Sequence, residues 1–515
     1  SETGGAAVSV TGKGDTNIEL NGNNTLTSSS GYAGLEHNKT DNSGTLTITD
    51  DKGDAGSLTA NGGIDGAGIG GSDEHDGQVT ITGGEITATG GNGAAGIGGG
   101  AGDTDAVGGD GDVTISGGTI TATGGRLGAG IGGGAYGNGT VTVTDGDITA
   151  KATGRYGAGI GGGYGAKPKP SGTLIGGNGT VTISGGTITE ASGGYMAAGI
   201  GSGFQGLGTV TIEGDAVIKN AQGGKAGAGI GSGTRGDSEI IIRGNAVIEN
   251  AESSANGAGI GAGQGSLRDN ISTVGKVTIE GNAKIENAKS GSGGSGIGGG
   301  FIGIGNVIIR GNAQIGNATG GEEGAGIGGG ALGTGDVTIE GNVTIENAKG
   351  GAGAAGIGGG AETQPDTKDT RNKVSIKSTE AGSPDITATG GGASDGSLPG
   401  AAAIGSGSVA DGATEVKSDI TIEGKVTIDA TGGGDVAIGD STNGETRFSG
   451  LQVGTTITRR NAKGDDVSQP GDVVREQAPT ETEGAEAPST GSVEVERPVT
   501  VEGLYVTNVL GKQIT

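Results

Sequence analysis

The chain has no cysteine and no tryptophan, and it is poor in other aromatic residues and in proline. Its 515 residues include six tyrosines, three phenylalanines and nine prolines, and the hydrophobic fraction is 30%. That composition has too few large apolar side chains for one round core of this length. Collagen is excluded as well, because the 129 glycines do not recur at every third residue with abundant proline.

Basic residues are also in short supply. Lysine and arginine number 31 against 58 aspartates and glutamates, so the formal net charge is −27. A chain without a basic stripe cannot neutralise phosphates, which argues against nucleic acid as a partner and disfavours anionic membrane surfaces. Long apolar runs are missing too. No segment approaches the roughly 18 residues of a spanning helix, so we expect no membrane insertion.

The most informative feature of the chain is a repeat. A motif of the form A-G-I-G-G-G recurs, and three consecutive copies place their isoleucine at Ile200, Ile230 and Ile260, 30 residues apart. Most other spacings are longer, as insertions into a unit of about thirty residues would produce. The aliphatic residue of the motif stands at thirteen positions: Leu35, Ile69, Ile97, Ile131, Ile160, Ile200, Ile230, Ile260, Ile297, Ile327, Ile357, Ile404 and Ile438.

Each unit contains three short extended segments. In one unit these are residues 113–116 (VTIS), residues 119–123 (TITAT) and the A-G-I-G around Ile131. Alternating apolar and polar residues with β-branched side chains favour strands, and glycine or asparagine between them suits tight corners. The sequence therefore predicts an all-β fold: a parallel β-helix (solenoid) of about 13 coils of ~30 residues with three short strands each. The general preference of parallel crossovers makes it right-handed.

The residue that follows V-T-I indicates how the coils stack. Down the chain its charge alternates at every step: Glu213, Arg243, Glu280, Arg310, Glu340, Lys377 and Glu423. Opposite charges attract when they are stacked at coil pitch, by a few tenths of a kcal/mol when exposed. We therefore expect residues one unit apart to lie directly above one another as a structural charge ladder. The same spacing predicts an outward threonine row (Thr80, Thr114, Thr142, Thr182, Thr211) and an asparagine row at a corner (Asn220, Asn250, Asn287, Asn317, Asn347).

The repeat also suggests domain boundaries. We predict an N-terminal cap or tail over residues 1–17 and the solenoid over 18–460. Residues 461–490 combine proline with glutamate, threonine and alanine, which is typical of an acidic flexible linker. Residues 491–515 alternate again, and they are either strands that dock on the solenoid or the start of a further domain.

One corner, between A-G-I-G-G-G and the next V-T-I, carries most of the insertions, which indicate either recognition residues or tolerated loop growth. These insertions lie at about 72–78, 101–112, 164–180, 264–275 and 361–373. Five of the aromatic residues and two arginines lie in three adjacent coils: Tyr136, Tyr156, Tyr164, Tyr195, Phe204, Arg126 and Arg155. Stacking predicts two axial patches at opposite ends of the third strand, able to hold a sugar ring or a partner protein. The alternative is corner packing beneath the inserted loops.

Acidic residues cluster in the early insertions. The candidates for a calcium site are Asp73, Asp76, Asp103, Asp105, Asp110 and Asp112. Calcium needs several converging oxygen atoms, which Asp-x-Asp turns can supply. The glycine-rich calcium nonapeptide repeat would show aspartate at a short, regular period, and this chain lacks that regularity. Solvated turn aspartates are therefore the alternative, and no other cofactor is expected.

Catalysis is only weakly supported, because the plentiful carboxylates of a solenoid lie mostly at its surface. Its two histidines, His37 and His75, are far apart in the repeat order, and no cysteine is present. The glycine runs are not phosphate loops, because neither a helix nor Gly-Lys-Ser/Thr follows them. Polysaccharide lyases and hydrolases do use β-helices, but fold does not confer function, so we expect no enzyme. Rows of Thr-x-Thr could form an ice-binding face, but that pattern breaks from Thr153 onward.

Three segments carry a family resemblance: residues 77–100 (GQVTITGGEITATGGNGAAGIGGG), 111–134 (GDVTISGGTITATGGRLGAGIGGG) and 24–50. They resemble the glycine-rich repeats of large surface proteins of anaerobic Gram-positive bacteria, which are often labelled adhesin-like or carbohydrate-binding. The resemblance covers about residues 17–450. It implies an elongated, secreted and wall-attached protein at the bacterial cell surface. We therefore expect a non-catalytic structural or adhesive stalk whose partner is a host or bacterial surface glycan or protein. A polysaccharide-binding module is the alternative, and a polysaccharide lyase or hydrolase comes third.

Overall fold

The computed structural model is a parallel β-solenoid of fourteen turns. It describes residues 4–52, 55–102, 109–165, 177–361, 371–393, 399–409, 417–440, 446–469 and 471–474. Within these ranges all regular structure is β-strand, and no helix is present that is long and apolar enough to span a membrane. The predicted all-β solenoid is confirmed.

Each turn contributes one strand to each of three parallel sheets. Sheet 1 contains Thr16–Glu19, Leu46–Thr49, Gly77–Ile81, Gly179–Ile183, Gly208–Ile212, Ser238–Ile242, Thr273–Ile279, Gly303–Gly311, Gly335–Gly341, Asn372–Lys377, Ser418–Glu423 and Thr446–Ser449. Sheet 2 contains Asn23–Thr27, Ser57–Asn61, Glu85–Thr89, Thr187–Ser192, Val217–Gly223, Val247–Ser253, Lys284–Ser290, Gln314–Thr319, Thr344–Lys349, Asp385–Thr389, Thr427–Thr431 and Thr456–Arg460. Two further strands, Gly111–Gly124 and Gly139–Ala152, run through both sheets.

Sheet 3 consists of two-residue strands. They are Val8–Ser9, Leu35–Glu36, Ile69–Gly70, Ile97–Gly98, Ile131–Gly132, Ile160–Gly161, Ile200–Gly201, Ile230–Gly231, Ile260–Gly261, Ile297–Gly298, Ile327–Gly328, Ile357–Gly358, Ile404–Gly405 and Ile438–Gly439. The count exceeds the thirteen motif positions because Val8–Ser9 pairs with Leu35–Glu36. That strand lacks the A-G-I-G motif, so the repeat did not reveal it. The solenoid therefore already includes part of the segment predicted as a cap or tail over 1–17.

Five inward positions per turn build one continuous apolar core. In one turn they are Val113, Ile115, Ile120, Ala122 and Ile131, each at most 1% exposed. The period-two alternation of a strand explains why the first four are separated by outward polar residues. Equivalent residues of successive turns stack in register along the axis, so a thin, elongated core replaces the round one that the composition excludes.

The glycine of each Ile-Gly strand is required by its backbone conformation. Gly132 has φ of +126°, a region that side chains rarely adopt. A Cβ built on Gly132 would lie 2.1 Å from the carbonyl oxygen of Gly161 in the next turn. Glycine at this position therefore allows neighbouring turns to approach closely, which accounts for the repeated A-G-I-G.

Sheet 2 carries a bulge through six consecutive turns, those of residues 187–349. Each of these turns has one extra residue between the inward isoleucine and the inward alanine. The register shift where the bulge begins shows this, because Ile148 pairs with Ile188 but Thr149 pairs with Glu190. The predicted asparagine row occupies this bulge, so it lies within strands of sheet 2 and not at a corner. Asn287 is typical: its Nδ2 donates to Oδ1 of Asn250 (3.2 Å) and to the carbonyl of Glu249 (3.1 Å). A bulge exposes unpaired backbone groups, and the amides satisfy them.

The C-terminal end of the solenoid extends past residue 460, which corrects the predicted boundary of the linker. Residues 461–469 and 471–474 turn back on the last strand of sheet 2, Thr456–Arg460. The amide of Ile457 donates to the carbonyl of Asp472 at 2.8 Å. The composition of residues 461–490 suggested a linker throughout. Composition alone does not show that part of such a segment can pair with the open edge of the last strand. The remaining part of the predicted linker, and residues 491–515, lie outside the described residues.

Candidate functional site

The charge ladder runs along the edge of sheet 1 where its strands end. Arg243 Nε donates to Glu213 Oε2 at 2.6 Å. Further along, Arg310 donates to Glu280 Oε2 from Nε (2.7 Å) and Nη2 (2.5 Å). Each of these ion pairs joins residues 30 positions apart, so one turn corresponds to one repeat unit.

The ladder continues into the last turns. Arg310 stands opposite Glu340, and Glu340 stands opposite Lys377, in the strand register of sheet 1. Lys377 Nζ lies 3.3 Å from Glu423 Oε2. The predicted threonine row is in register as well, from Thr80 to Thr211. Both rows lie on the outer surface of sheet 1.

Four of the predicted aromatic residues form one cluster, which we call the aromatic cluster: Tyr136, Tyr156, Tyr164 and Phe204. The ring centroids of Tyr156 and Tyr164 are 4.8 Å apart, and those of Tyr164 and Phe204 are 5.9 Å apart with nearly parallel rings. Tyr136 meets Tyr164 edge-on at 5.3 Å. Such offset and edge-to-face contacts are favourable because of the ring quadrupoles.

The cluster corrects the prediction of two patches at opposite ends of the third strand. Tyr156 precedes the motif isoleucine of its own turn, whereas Phe204 follows the motif isoleucine of the next turn. Their ring centroids are nevertheless 5.4 Å apart. The amide of Phe204 donates to the carbonyl of Tyr156 at 2.9 Å. Because the third strand is only two residues long and turns at a positive-φ glycine, the segments on its two sides converge.

Cationic groups surround the outer edge of this cluster. Arg155 Cζ lies 5.6 Å from the centroid of Tyr156 and 5.4 Å from that of Tyr195. Lys225 Nζ lies 5.9 Å from the Tyr195 ring, which is 47% exposed. Cations over aromatic faces are attracted by about 0.5–1 kcal/mol at exposed sites. Tyr195 with its two cations is therefore the accessible part of the site.

Two cations of this site were missed in the sequence. Lys225 stands one unit after Tyr195, and Arg235, whose Cζ lies 5.9 Å from the Phe204 ring, stands one unit after Gln205. The signal was available, because a unit of 30 residues brings both above the aromatic turns. Arg126, which was predicted, is exposed one turn before Arg155, and its carbonyl accepts the amide of Arg155 at 3.2 Å.

Burial also affects the ionisation of the cluster. The pKa of Tyr164 is raised, chiefly by burial and then by the neighbouring Tyr136 and Tyr156. The phenol of Tyr164 therefore stays neutral throughout the physiological range. Its role in the cluster is packing, while Tyr195 faces solvent.

The corner that carries the cluster is conformationally unusual. Six turns place a non-glycine residue with positive φ five residues after the motif isoleucine: Glu74, Tyr136, Gln205, Arg235, Ile302 and Leu332. Such backbone conformations cost about 1–3 kcal/mol each and gather at functional positions. The strain is repeated at one corner, which is the corner of the insertions.

The acidic candidates are engaged in hydrogen bonds and ion pairs along the same corner. Asp76 Oδ1 accepts the amide of Asp110 at 2.9 Å, and Asp110 Oδ1 accepts the amide of Asn138 at 2.7 Å. Asp112 pairs with Lys39 at 2.9 Å. Burial, followed by the charge of Asp76, raises the pKa of Asp110 against these hydrogen bonds.

A calcium site is not assembled by the candidates that the structure describes. Burial, together with the charges of Asp65 and Glu74, raises the pKa of Asp73. Among the described residues, no group of three or more His, Asp or Glu side chains is arranged to hold a metal ion. Asp103 and Asp105 lie outside the described residues, so calcium at this loop stays a prediction.

A polar groove on the bulge of sheet 2 was also missed. It has a volume of about 330 Å³ and is lined by Glu190, Asn220, Gln222, Asn250 and Glu252. Its lining consists of the amide ladder and two carboxylates, which can bind hydroxyl groups but offer no aromatic face. The asparagine row was the available signal, although it was interpreted as structural.

Comparison with known proteins agrees with the fold. A protein-family model that describes a β-helix repeat matches residues 79–101, 113–135, 136–164 and 181–204. Searches of curated proteins and of solved structures each found no match. The matching segments include all four residues of the aromatic cluster, and they agree with the β-helix repeat fold.

Proposed function

We propose that the protein is a non-catalytic stalk of a bacterial cell surface that presents an adhesive corner to a partner. The observation that carries this proposal is the exposed Tyr195 between Arg155 and Lys225, on the corner of a stack of fourteen turns. Fourteen turns at about 4.8 Å make a rod of roughly 65 Å. A continuous core gives such a rod the stiffness to hold the corner away from a surface.

The partner that fits this corner is a surface glycan or protein. Tyrosine with flanking cations is the combination found at the centres of protein interfaces, where few residues dominate the binding energy. Repeated backbone strain supports the same corner, because residues in such conformations gather at functional positions.

Adhesion is tested with the purified protein on intact bacterial and epithelial cells. We expect binding that falls at least tenfold in the Tyr195→Ala variant, because truncation removes the exposed ring. Tyr32→Ala is the matched control, since Tyr32 is 40% exposed but lies five turns before Tyr195 in the stack. Equal losses in both variants, or none in either, would contradict the proposal.

A polysaccharide-binding module is the second candidate, and the polar groove of sheet 2 is the observation that favours it. A glycan array separates the two functions. Polysaccharide binding predicts signals from glycans that Asn250→Ala weakens, whereas adhesion through a protein predicts no such signal. Release of reducing sugars from an arrayed polysaccharide would instead indicate a lyase or hydrolase and overturn the non-catalytic proposal.

A further inference from the structure

The motif of the first full turn, residues 33–38 (AGLEHN), departs from that of the later turns, most clearly at Glu36. Glu36 occupies the sheet 3 position that is glycine in each of the twelve following strands, and it pairs in register with Gly70. Gly70 has φ of +128°, and a Cβ there would lie 2.1 Å from the carbonyl oxygen of Gly98. Glu36 is not among the residues with positive φ, so the first full turn departs from the later ones in backbone conformation as well as in side chain.

The Glu36 side chain is buried but only half satisfied. It is 8% exposed, and Oε1 accepts a hydrogen bond from Ser9 Oγ at 2.8 Å. Oε2 is buried without a hydrogen-bond partner among the described residues. A buried carboxylate oxygen left unpaired is costly, on the order of 1–3 kcal/mol, so such an atom needs an explanation.

Glu36 lines a pocket, and we call this the first-turn pocket. It has a volume of about 330 Å³ and lies between the segment 10–13 and the loop 38–43. Its polar lining residues are Thr11, Lys13, Glu36, Asn38, Thr40, Asn42 and Ser43. The volume lies at the lower end of the range for small-molecule sites, about 300–1,000 Å³.

We propose that the first-turn pocket binds one neutral saccharide unit whose hydroxyl group donates a hydrogen bond to the carboxylate of Glu36, which turns Oε2 toward the ligand. The site is separate from the aromatic cluster, and it does not rest on the adhesive function proposed above.

The composition of the lining selects this ligand class. One carboxylate and one lysine offset each other in charge, so neither a net cation nor a net anion is favoured. The other polar groups are amides and hydroxyls, which both donate and accept. A polyhydroxylated ring matches that mixture, because each of its hydroxyl groups can donate to Glu36 and accept from Lys13 or an asparagine.

The loop that forms the pocket is held in place independently of a ligand. Asn38 Oδ1 accepts hydrogen bonds from the amide and the hydroxyl of Ser72 in the next turn, at 2.8 and 3.0 Å. Ser43 Oγ accepts the amide of Thr40 at 3.1 Å. The pocket is therefore preorganised, which lowers the cost of binding.

The test uses saturation-transfer NMR with four free sugars: D-glucose, D-galactose, D-mannose and N-acetyl-D-glucosamine. We expect at least one to bind the wild-type protein. Glu36→Gln should weaken that sugar about tenfold or more, because the hydrogen bond loses its charge. Glu36→Gly should abolish binding while it retains the fold, since it introduces the residue that all later turns have.

Two controls make the result decisive. Glu249→Gln changes a carboxylate on the outer face of sheet 2 and should bind the sugar as the wild type does. Circular dichroism establishes folding of every variant. Binding that survives Glu36→Gly places the sugar elsewhere and overturns the proposal. Absence of binding by all four sugars overturns it as well.

Discussion

Arg459 and Asp472 form a buried, two-contact ion pair that closes the C-terminal end of the solenoid. Arg459 Nε donates to Asp472 Oδ2 at 2.9 Å, and Nη2 donates to Oδ1 at 3.0 Å. The side chains are 3% and 1% exposed. Arg459 Cζ also lies 5.5 Å from the ring centroid of Phe448. The pair thus joins the returning segment to the last strand and shields the end of the core.

Removing one partner of this pair should open the last turn. We expect Asp472→Asn to destabilise the end of the solenoid by about 3–5 kcal/mol, because it leaves the guanidinium of Arg459 buried without its countercharge. Hydrogen exchange should show lost protection over Thr456–Arg460 with the central turns unchanged. Asp435→Asn, at an exposed carboxylate, is the control. Unchanged protection in Asp472→Asn would show that the pair does not hold the cap.

A methyl group at a sheet 3 glycine should be disruptive. A Cβ at Gly201, where φ is +130°, would lie 1.9 Å from the carbonyl oxygen of Gly231. We expect Gly201→Ala to lower the free energy of unfolding by about 3 kcal/mol or more, through backbone strain and overpacking. Gly14→Ala meets no atom within 4 Å and should change it by less than about 0.5 kcal/mol. Thermal denaturation of both variants tests this expectation. Equal midpoints would contradict the role of Gly201 in the close approach of neighbouring turns.

Reversing one charge of the ladder should have a small effect that depends on salt. Arg310→Glu places three carboxylates in succession, with Glu280 and Glu340. Because Arg310 is half-exposed and Glu280 is partly exposed, we expect a loss of only about 0.5–1 kcal/mol at low ionic strength. It should shrink toward zero in about 1 M salt. Urea titrations of both variants measure this loss. The control Arg310→Gln should show a weaker dependence on salt. A loss independent of salt would mean that packing of the Arg310 stem dominates.

Asp110 should make stability depend on pH in the direction opposite to a salt-bridged carboxylate. Burial raises its pKa in the folded protein, so folded Asp110 binds its proton more tightly than unfolded Asp110 does. Its contribution to stability is therefore lost as the pH rises from the usual pKa of the carboxyl, which holds in the unfolded chain, to the raised pKa of the folded protein. We expect Asp110→Asn to be more stable than the wild type at pH 7 and nearly equal to it at pH 3. Urea titrations at the two pH values test this, and a variant less stable at pH 7 would contradict it.

Local repetition made much of the architecture predictable. The motif isoleucines and the charges after V-T-I recur every thirty residues or so, and a parallel stack with one turn per unit satisfies both. The first strand, Val8–Ser9, was not predicted because two residues without the motif carry no pattern. The asparagine row was recognised but assigned to a corner, because a one-residue bulge changes only the count between the inward isoleucine and alanine.

Sequence by itself determined which residues line the axis and which turns lie next to each other, because both follow from periods of two and of about thirty residues. Only the tertiary structure decided that Tyr156 and Phe204 share one cluster, that Asp472 returns to Arg459, and that Glu36 faces a pocket. Those contacts depend on how corners and ends bend in space. No period in the chain encodes that path.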